Sequence, residues 1–218
     1  MGGKGAEMSS REQILARLRS KDKPFPRITP PETYQAMTPM EGDTSSLIAR
    51  FISEAEALSA VVHQPSDETQ AVQIILGILG EDSTVLAWDW SSIPLPTLPG
   101  ALEAARISTA SPQDPQVRVG ISGASAALAA TGSLVLSSGK GQYRATSLLP
   151  PVHIAVIMRR QIVPNLESWI QQQRKAGLTA FQQTSNLVIV SGPSRTADIA
   201  MELILGMHGP GELHIIIL

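Results

Sequence analysis

Apolar runs that do not alternate limit this fold more than any other feature of the chain. His153–Met158, Leu187–Val190 and Leu213–Leu218 are rich in Ile, Val and Leu, without a polar residue at every second position. A strand with one solvated face alternates, whereas a near-continuous apolar run belongs to a strand covered on both faces. Helix patterns separate these runs. Pro164 opens one that continues to Gly177, and Thr196–Leu205 reads as another, ended by Gly206. Strand and helix in alternation predict an α/β fold: a mainly parallel sheet with helices on both faces. The last run places residue 218 inside that fold.

The preceding residues follow the same rhythm less clearly. Leu47, Ile48, Phe51, Ile52, Ala55 and Leu58 mark an amphipathic helix, followed by a short strand pattern over Ser59–His63. A second helix follows, with Ser66 as its N-cap and Gly80 at its end. Ser83–Trp88 reads as a buried strand, Ser91–Gly100 as a proline-broken loop, Ala101–Ala105 as a short helix and Val117–Ile121 as a strand. Gly120 to Pro151 breaks the pattern: rich in Ser, Thr and Gly, it shows one further strand, Ser133–Leu136. Residues 1–42 read as an arm and 43–218 as the α/β domain. In the arm, Ser9 and Glu12 have capping-box spacing before Ile14, Leu15 and Leu18. Prolines 24, 26, 30, 31 and 39 then favour an extended path.

Composition removes several classes of function. There are no cysteines, so disulfides, thiol nucleophiles and cysteine-ligated iron–sulfur clusters are excluded. Formal net charge is −2 with both signs interspersed, which argues against nucleic-acid binding. The polar N-terminus has no secretory pattern and no apolar run is long enough to span a bilayer. The cytoplasm is the expected compartment. The four histidines lack i,i+4 spacing, H-x-H or H-E-x-x-H patterns, so no metal is expected.

Two constellations are candidate sites. Val190 to Asp198 lies where a buried strand would hand over to a helix, a place that attracts anions in α/β sheets. There Ser191 and Ser194 could donate hydrogen bonds, Gly192 could let backbone approach, Arg195 could grip a carboxylate or phosphate, and Asp198 could orient Arg195. The structural alternative is a Gly-Pro turn, with Ser194 as a helix cap and Arg195 in water. The second constellation is the Gly-Ile-Ser-Gly-Ala stretch Gly120–Ala124 with Thr131, Gly132, Ser133, Lys140, Arg144 and the stretch Pro150–His153. Its glycines permit close approach, its hydroxyls could donate, and Arg144 could clamp opposite Arg195. Here a glycine-rich hairpin capping the sheet is the competing reading. His208, in a Gly-Met-His-Gly-Pro turn, reads more readily as a turn-fixing hydrogen bonder than as a base. No nucleophile elbow, phosphate loop or dinucleotide fingerprint occurs.

Three segments together resemble the LUD family, in its lactate-utilisation protein C branch: GISGASAALAATGSLVL at 120–136, RATSLLPPVH at 144–153 and SGPSRTADIAMELILGMHGPGELHIIIL at 191–218. The REQILARLR helix and the proline-rich tether are similar to that branch as well. The resemblance implies a Rossmann-like sheet related to ribose-phosphate isomerase and CoA transferases. It also implies a non-redox role in L-lactate oxidation to pyruvate, beside an iron–sulfur LUD-domain subunit and a cysteine-rich oxidase-type subunit. The clusters would sit on those partners, with no cofactor on this chain. A small anion such as lactate, pyruvate or phosphate would occupy the site, and the arm would reach a partner or a second copy. Family members often carry an acid before the Thr-Gly pair and after the Asp-Ile pair; here stand Ala130 and Ala200. That departure argues against the alternative of a stand-alone enzyme on a sugar-phosphate or acyl-CoA. A metabolite-sensing regulator is the third reading.

Overall fold

In the computed structural model, residues 9–20, 42–112, 114–197 and 203–218 are described. The chain divides into two compact units, Met1–Tyr34 and Gln35–Leu218. The first contains helix α1 (Ser10–Ser20). Its start is the expected box: Ser9 N–H donates to the Glu12 carboxylate at 2.8 Å, and Glu12 N–H donates to Ser9 Oγ at 3.3 Å. The extended path expected from Lys21 to Met40 falls outside the described residues.

In the second unit the chain runs through α2 (Thr44–Ala57), β1 (Val61–His63), α3 (Glu68–Leu79), β2 (Thr84–Ala87), α4 (Leu98–Ala104), β3 (Ser108–Thr109) and β4 (Val119–Ser122). Then come β5 (Ala126–Leu128), β6 (Ser133–Ser138), β7 (Val152–Ile157), β8 (Ile162–Val163), α5 (Leu166–Lys175) and α6 (Thr179–Gln183). β9 (Asn186–Val190), β10 (Arg195–Ala197), β11 (Leu203–Leu205) and β12 (Glu212–Ile217) complete the order. No described helix is long and apolar enough to cross a membrane.

Local chemistry sets the helix boundaries. Asp43 caps α2 by accepting from Ser46 N–H at 2.9 Å. α3 begins one residue later than expected: Asp67, not Ser66, accepts from Gln70 N–H at 2.8 Å. The carboxylate is the stronger acceptor and suits the helix dipole, so Ser66 is displaced to donate its N–H to Gln70 Oε1. Ala71, Ile75 and Leu79, four residues apart, form the buried stripe of α3. α4 starts at Leu98, inside the stretch expected to be loop, because Pro99 is tolerated in a first helical turn.

The central sheet has six strands, all parallel, in the order β1-β12-β7-β4-β2-β3. Every residue of β4 and β7 is buried, which accounts for the lack of polar–apolar alternation in them; Ser122 and His153 are their buried polar residues. Pairing parity places His153, Ala155 and Ile157 on one face with Gly120, Ser122, Leu213 and Ile215. Val152, Ile154 and Val156 share the opposite face with His214, Val61 and His63.

Two expectations fail, and each failure has a cause. Leu187–Val190 does not join the parallel sheet. It lies in β9, at the edge of a second sheet ordered β8-β5-β6-β9, antiparallel to β6. Ala127, Ala129, Leu134 and Leu136 of this sheet enter the main core, while Ala126, Leu128 and Val135 pack with Trp169 of α5. Its strand β5 escapes notice in the sequence because an Ala-Ala-Leu run has little strand propensity. Thr196–Leu205 is not a helix either: β10 pairs antiparallel with β11, Arg195 opposite Leu205 and Ala197 opposite Leu203. Gly206 N–H donates to Ser194 O at 3.0 Å, and Ser194 N–H to Pro210 O at 2.7 Å. A ten-residue helix would hold its ends about 15 Å apart, so these bonds exclude it.

Gly132 has φ +61°, and a Cβ there would overlap the backbone of Ala55 in α2. Gly77 in α3 has open space around it. Urea denaturation should therefore show Gly132→Ala losing roughly 2–4 kcal/mol, while Gly77→Ala gains about 0.5–1 kcal/mol.

Candidate functional site

The end of α2 gathers both candidate constellations. Gly132, between Thr131 and Ser133, lies against Glu54 and Ala55, and Gly192, at φ +77°, lies against Leu58. No side chain larger than hydrogen fits at either point. Arg195 donates to Leu58 O and Ser59 Oγ. Its guanidinium thus serves the exposed carbonyl at the helix end, where a cation suits the dipole. Behind this contact runs a row of hydroxyls: Thr131 Oγ1 to Ser133 Oγ at 2.8 Å, and Ser133 Oγ to Ser191 Oγ at 2.8 Å.

Ser191 also lines a cavity of about 230 Å³, together with Ser147, Leu148, His153, Ser194 and His208. The walls are tied across it. Ser194 Oγ accepts from His208 N–H at 3.3 Å, which links the loop after β9 to the turn before β12. His153 forms the floor and is 1% exposed. Its Nε2 lies 2.8 Å from Ser122 Oγ, which is itself 2.9 Å from Gly123 O. Burial pushes the imidazole down to about 4, so it is neutral near pH 7. His153 and Leu213 are the second residues of β7 and β12. The cavity therefore lies toward the amino-terminal ends of the parallel strands, opposite to the usual place for a ligand in such a sheet.

The structure sorts the expected site residues into three groups. His153, Ser191, Gly192, Ser194 and His208 line one cavity. Thr131 and Ser133 stand behind Ser191, while Gly120 and Gly132 serve packing, since a Cβ on Gly120 would overlap the Thr146 carbonyl. Neither arginine is among the residues that line the cavity. Arg144 is exposed on the 3₁₀ turn Arg144–Ser147, and Arg195 is engaged at Leu58 and Ser59. Asp198 is outside the described residues. Ser194 cannot act as a helix cap, because a strand follows it.

Ser122 belongs to the Gly120–Ala124 stretch of the second constellation, with no individual role assigned to it from sequence; Ser147 and a histidine pair were overlooked. His63 Nε2 and His214 Nδ1 are 3.1 Å apart, with their rings stacked at 5.4 Å. Burial lowers both pKa values. Only the pairing of β1 with β12 brings them together, and no short-range signal announces it. Among the described residues no group of three or more His, Asp or Glu could hold a metal ion.

Comparison with known proteins adds the following. Residues 104–218 match the LUD domain. Lactate utilization protein C of Halalkalibacterium halodurans is 38% identical over 95 residues, 44% of this chain and 41% of that protein. The Bacillus subtilis protein of that name is 39% identical over 98 residues, 44% and 40% of the two chains. The Bacillus velezensis protein aligns over 146 residues at 31% identity, 66% of this chain and 54% of that one. The matched stretch thus spans about half or less of these relatives. A crystal structure of a DUF162 family protein from Deinococcus radiodurans is similar in fold, with TM-score 0.61 and 22% identity over 81% of this chain and 99% of that one.

The buried histidine ties stability to pH. Its folded pKa of about 4 lies below the ordinary 6.5, so in that window the unfolded chain binds the extra proton, and stability is lost as pH falls from 6.5 toward 4. Between pH 7 and pH 5 this contributes a loss of about 2 kcal/mol. Denaturant titrations should show that share of the slope in the natural chain and its removal in His153→Gln.

Proposed function

This chain belongs to the LUD-domain family, and on that premise we propose that it works in L-lactate utilisation, as an accessory component of an assembly that oxidises L-lactate to pyruvate. The observation that carries the reading is the 38–39% identity to proteins named lactate utilization protein C. Oxidation at the carbinol carbon releases two electrons and two protons for each L-lactate consumed. A chain without cysteine offers no thiolates for an iron–sulfur cluster. In this reading the electrons pass to an iron–sulfur LUD-domain subunit and a cysteine-rich oxidase-type subunit, in the cytoplasm, and this chain carries no cofactor. Its own part is to hold a small organic acid in the cavity between His153, Ser191, Ser194 and His208.

The cavity's character supports a monocarboxylate. Among the described residues no Lys or Arg lines it, so a sugar phosphate or an acyl-CoA would bring phosphate charge to walls that hold hydroxyls and imidazoles. Such charge is met elsewhere by arginine forks. A single carboxylate, spread over two oxygens, is within the reach of serine hydroxyls.

Purified assembly from cells co-expressing this chain with candidate cysteine-rich partners tests the proposal. L-lactate-dependent dye reduction should require the chain and fall to background when it is left out. Full activity without it, with the chain eluting alone, would contradict the accessory role.

A further inference from the structure

Two short contacts around His153 fix where its proton sits. Ser122 Oγ has one hydrogen and two neighbours, the Gly123 carbonyl at 2.9 Å and His153 Nε2 at 2.8 Å. A carbonyl oxygen can only accept. Both bonds form together only if Ser122 donates to Gly123 O and His153 donates its Nε2–H to Ser122 Oγ. The neutral ring then carries no hydrogen on Nδ1, which is left as a lone-pair acceptor.

His153 lines the cavity, whereas Ser122 is wholly buried and is not among the lining residues. Ser194 Oγ, which accepts the His208 N–H, keeps its own proton to give. Ser133 Oγ donates to Thr131 O at 3.3 Å, so the Ser191 hydroxyl gives its proton to Ser133. The cavity therefore pairs one obligate acceptor with one free hydroxyl donor, Ser194. At about 230 Å³ it is smaller than the roughly 300–1,000 Å³ of drug-sized pockets.

We propose that His153, held by Ser122 as an Nε2–H tautomer, selects a short 2-hydroxy carboxylate over the corresponding 2-oxo acid. The 2-hydroxyl donates to Nδ1 while Ser194 donates to the carboxylate. A 2-oxo group has no hydrogen to give, and its lone pairs would face the lone pair of Nδ1. A site built around a substrate hydroxyl rejects the analogue lacking it, because the buried acceptor is left unpaired. Burial supports the arrangement by keeping the ring neutral, with a pKa of about 4. His153 is thus a specificity-determining residue and Ser122 a positioning residue. The inference rests on the cavity being the ligand site of the proposed function.

Calorimetric titration of the full chain near pH 7 with L-lactate and with pyruvate tests it, beside long-range ¹H–¹⁵N spectra of the histidines. L-lactate should bind at least about tenfold more tightly than pyruvate, and His153 should appear as the Nε2–H tautomer, with its Nδ1 signal moving as L-lactate is added. In Ser122→Ala both ring tautomers become accessible, and the preference should shrink toward parity while binding persists. Pyruvate binding as well as or better than L-lactate, or an Nδ1–H tautomer, would overturn the selection while leaving the cavity as the site. Neither ligand giving heat or moving the His153 signal would overturn the cavity reading as well. If Ser122→Ala does not fold, the affinity ratio and the tautomer in the natural chain decide.

Discussion

Two turns that press hydrogen, not methyl, against the last turn of α2 hold this domain's functional geometry in place. Gly132 meets Glu54 and Ala55, Gly192 meets Leu58, and Arg195 closes the contact by donating to Leu58 O and Ser59 Oγ. Gly132 leads into β6 and Gly192 follows β9, so the approach seats the second sheet against the main core. There Ala127, Leu134 and Leu136 are buried with Ile154 and Ile215. Ser133 and Ser191, one residue along from these glycines, are thereby brought to 2.8 Å. The cavity wall is a by-product of a packing contact.

The polarity of that cavity follows from what the packing consumes. Arg195, the residue most suited to an anion, is used on the carbonyl at the end of a helix, and Arg144 remains in solvent. The polar side chains lining the cavity are serines and histidines, set among apolar ones such as Leu148, Ile189 and Leu213. Such walls discriminate by the direction of hydrogen bonds more than by charge, and direction is fixed only where protons are fixed. Ser122 does this for His153. The second histidine cluster, His63 with His214, lies on the other face of the sheet and has no part in it.

Features governed by neighbours in sequence were legible. The strands β7 and β12 stand out through apolar runs that do not alternate, α2 through its apolar stripe, and α3 through Gly80 at its end. Long-range hydrogen bonds decided what was not legible. The spacing of apolar residues from 196 to 205 fits a helix, and only the bonds among Ser194, Gly206 and Pro210 select a ribbon. Similarly, Arg195 looked free for an anion because its acceptors lie more than a hundred residues away. The serines and histidines of the cavity were legible as polar residues in glycine-rich loops, but the pairing of Ser122 with His153 needed the register of β4 on β7.

The proposal places a small hydroxy acid in a cavity whose histidine floor is neutral near pH 7. The most direct measurement is a crystal structure of the chain grown with L-lactate. The account predicts density for the acid between the His153 imidazole and the hydroxyl of Ser194, its 2-hydroxyl toward Nδ1. Density for the acid elsewhere, such as the open groove lined by Leu149, Leu205 and Met207, with water alone beside His153, would contradict it.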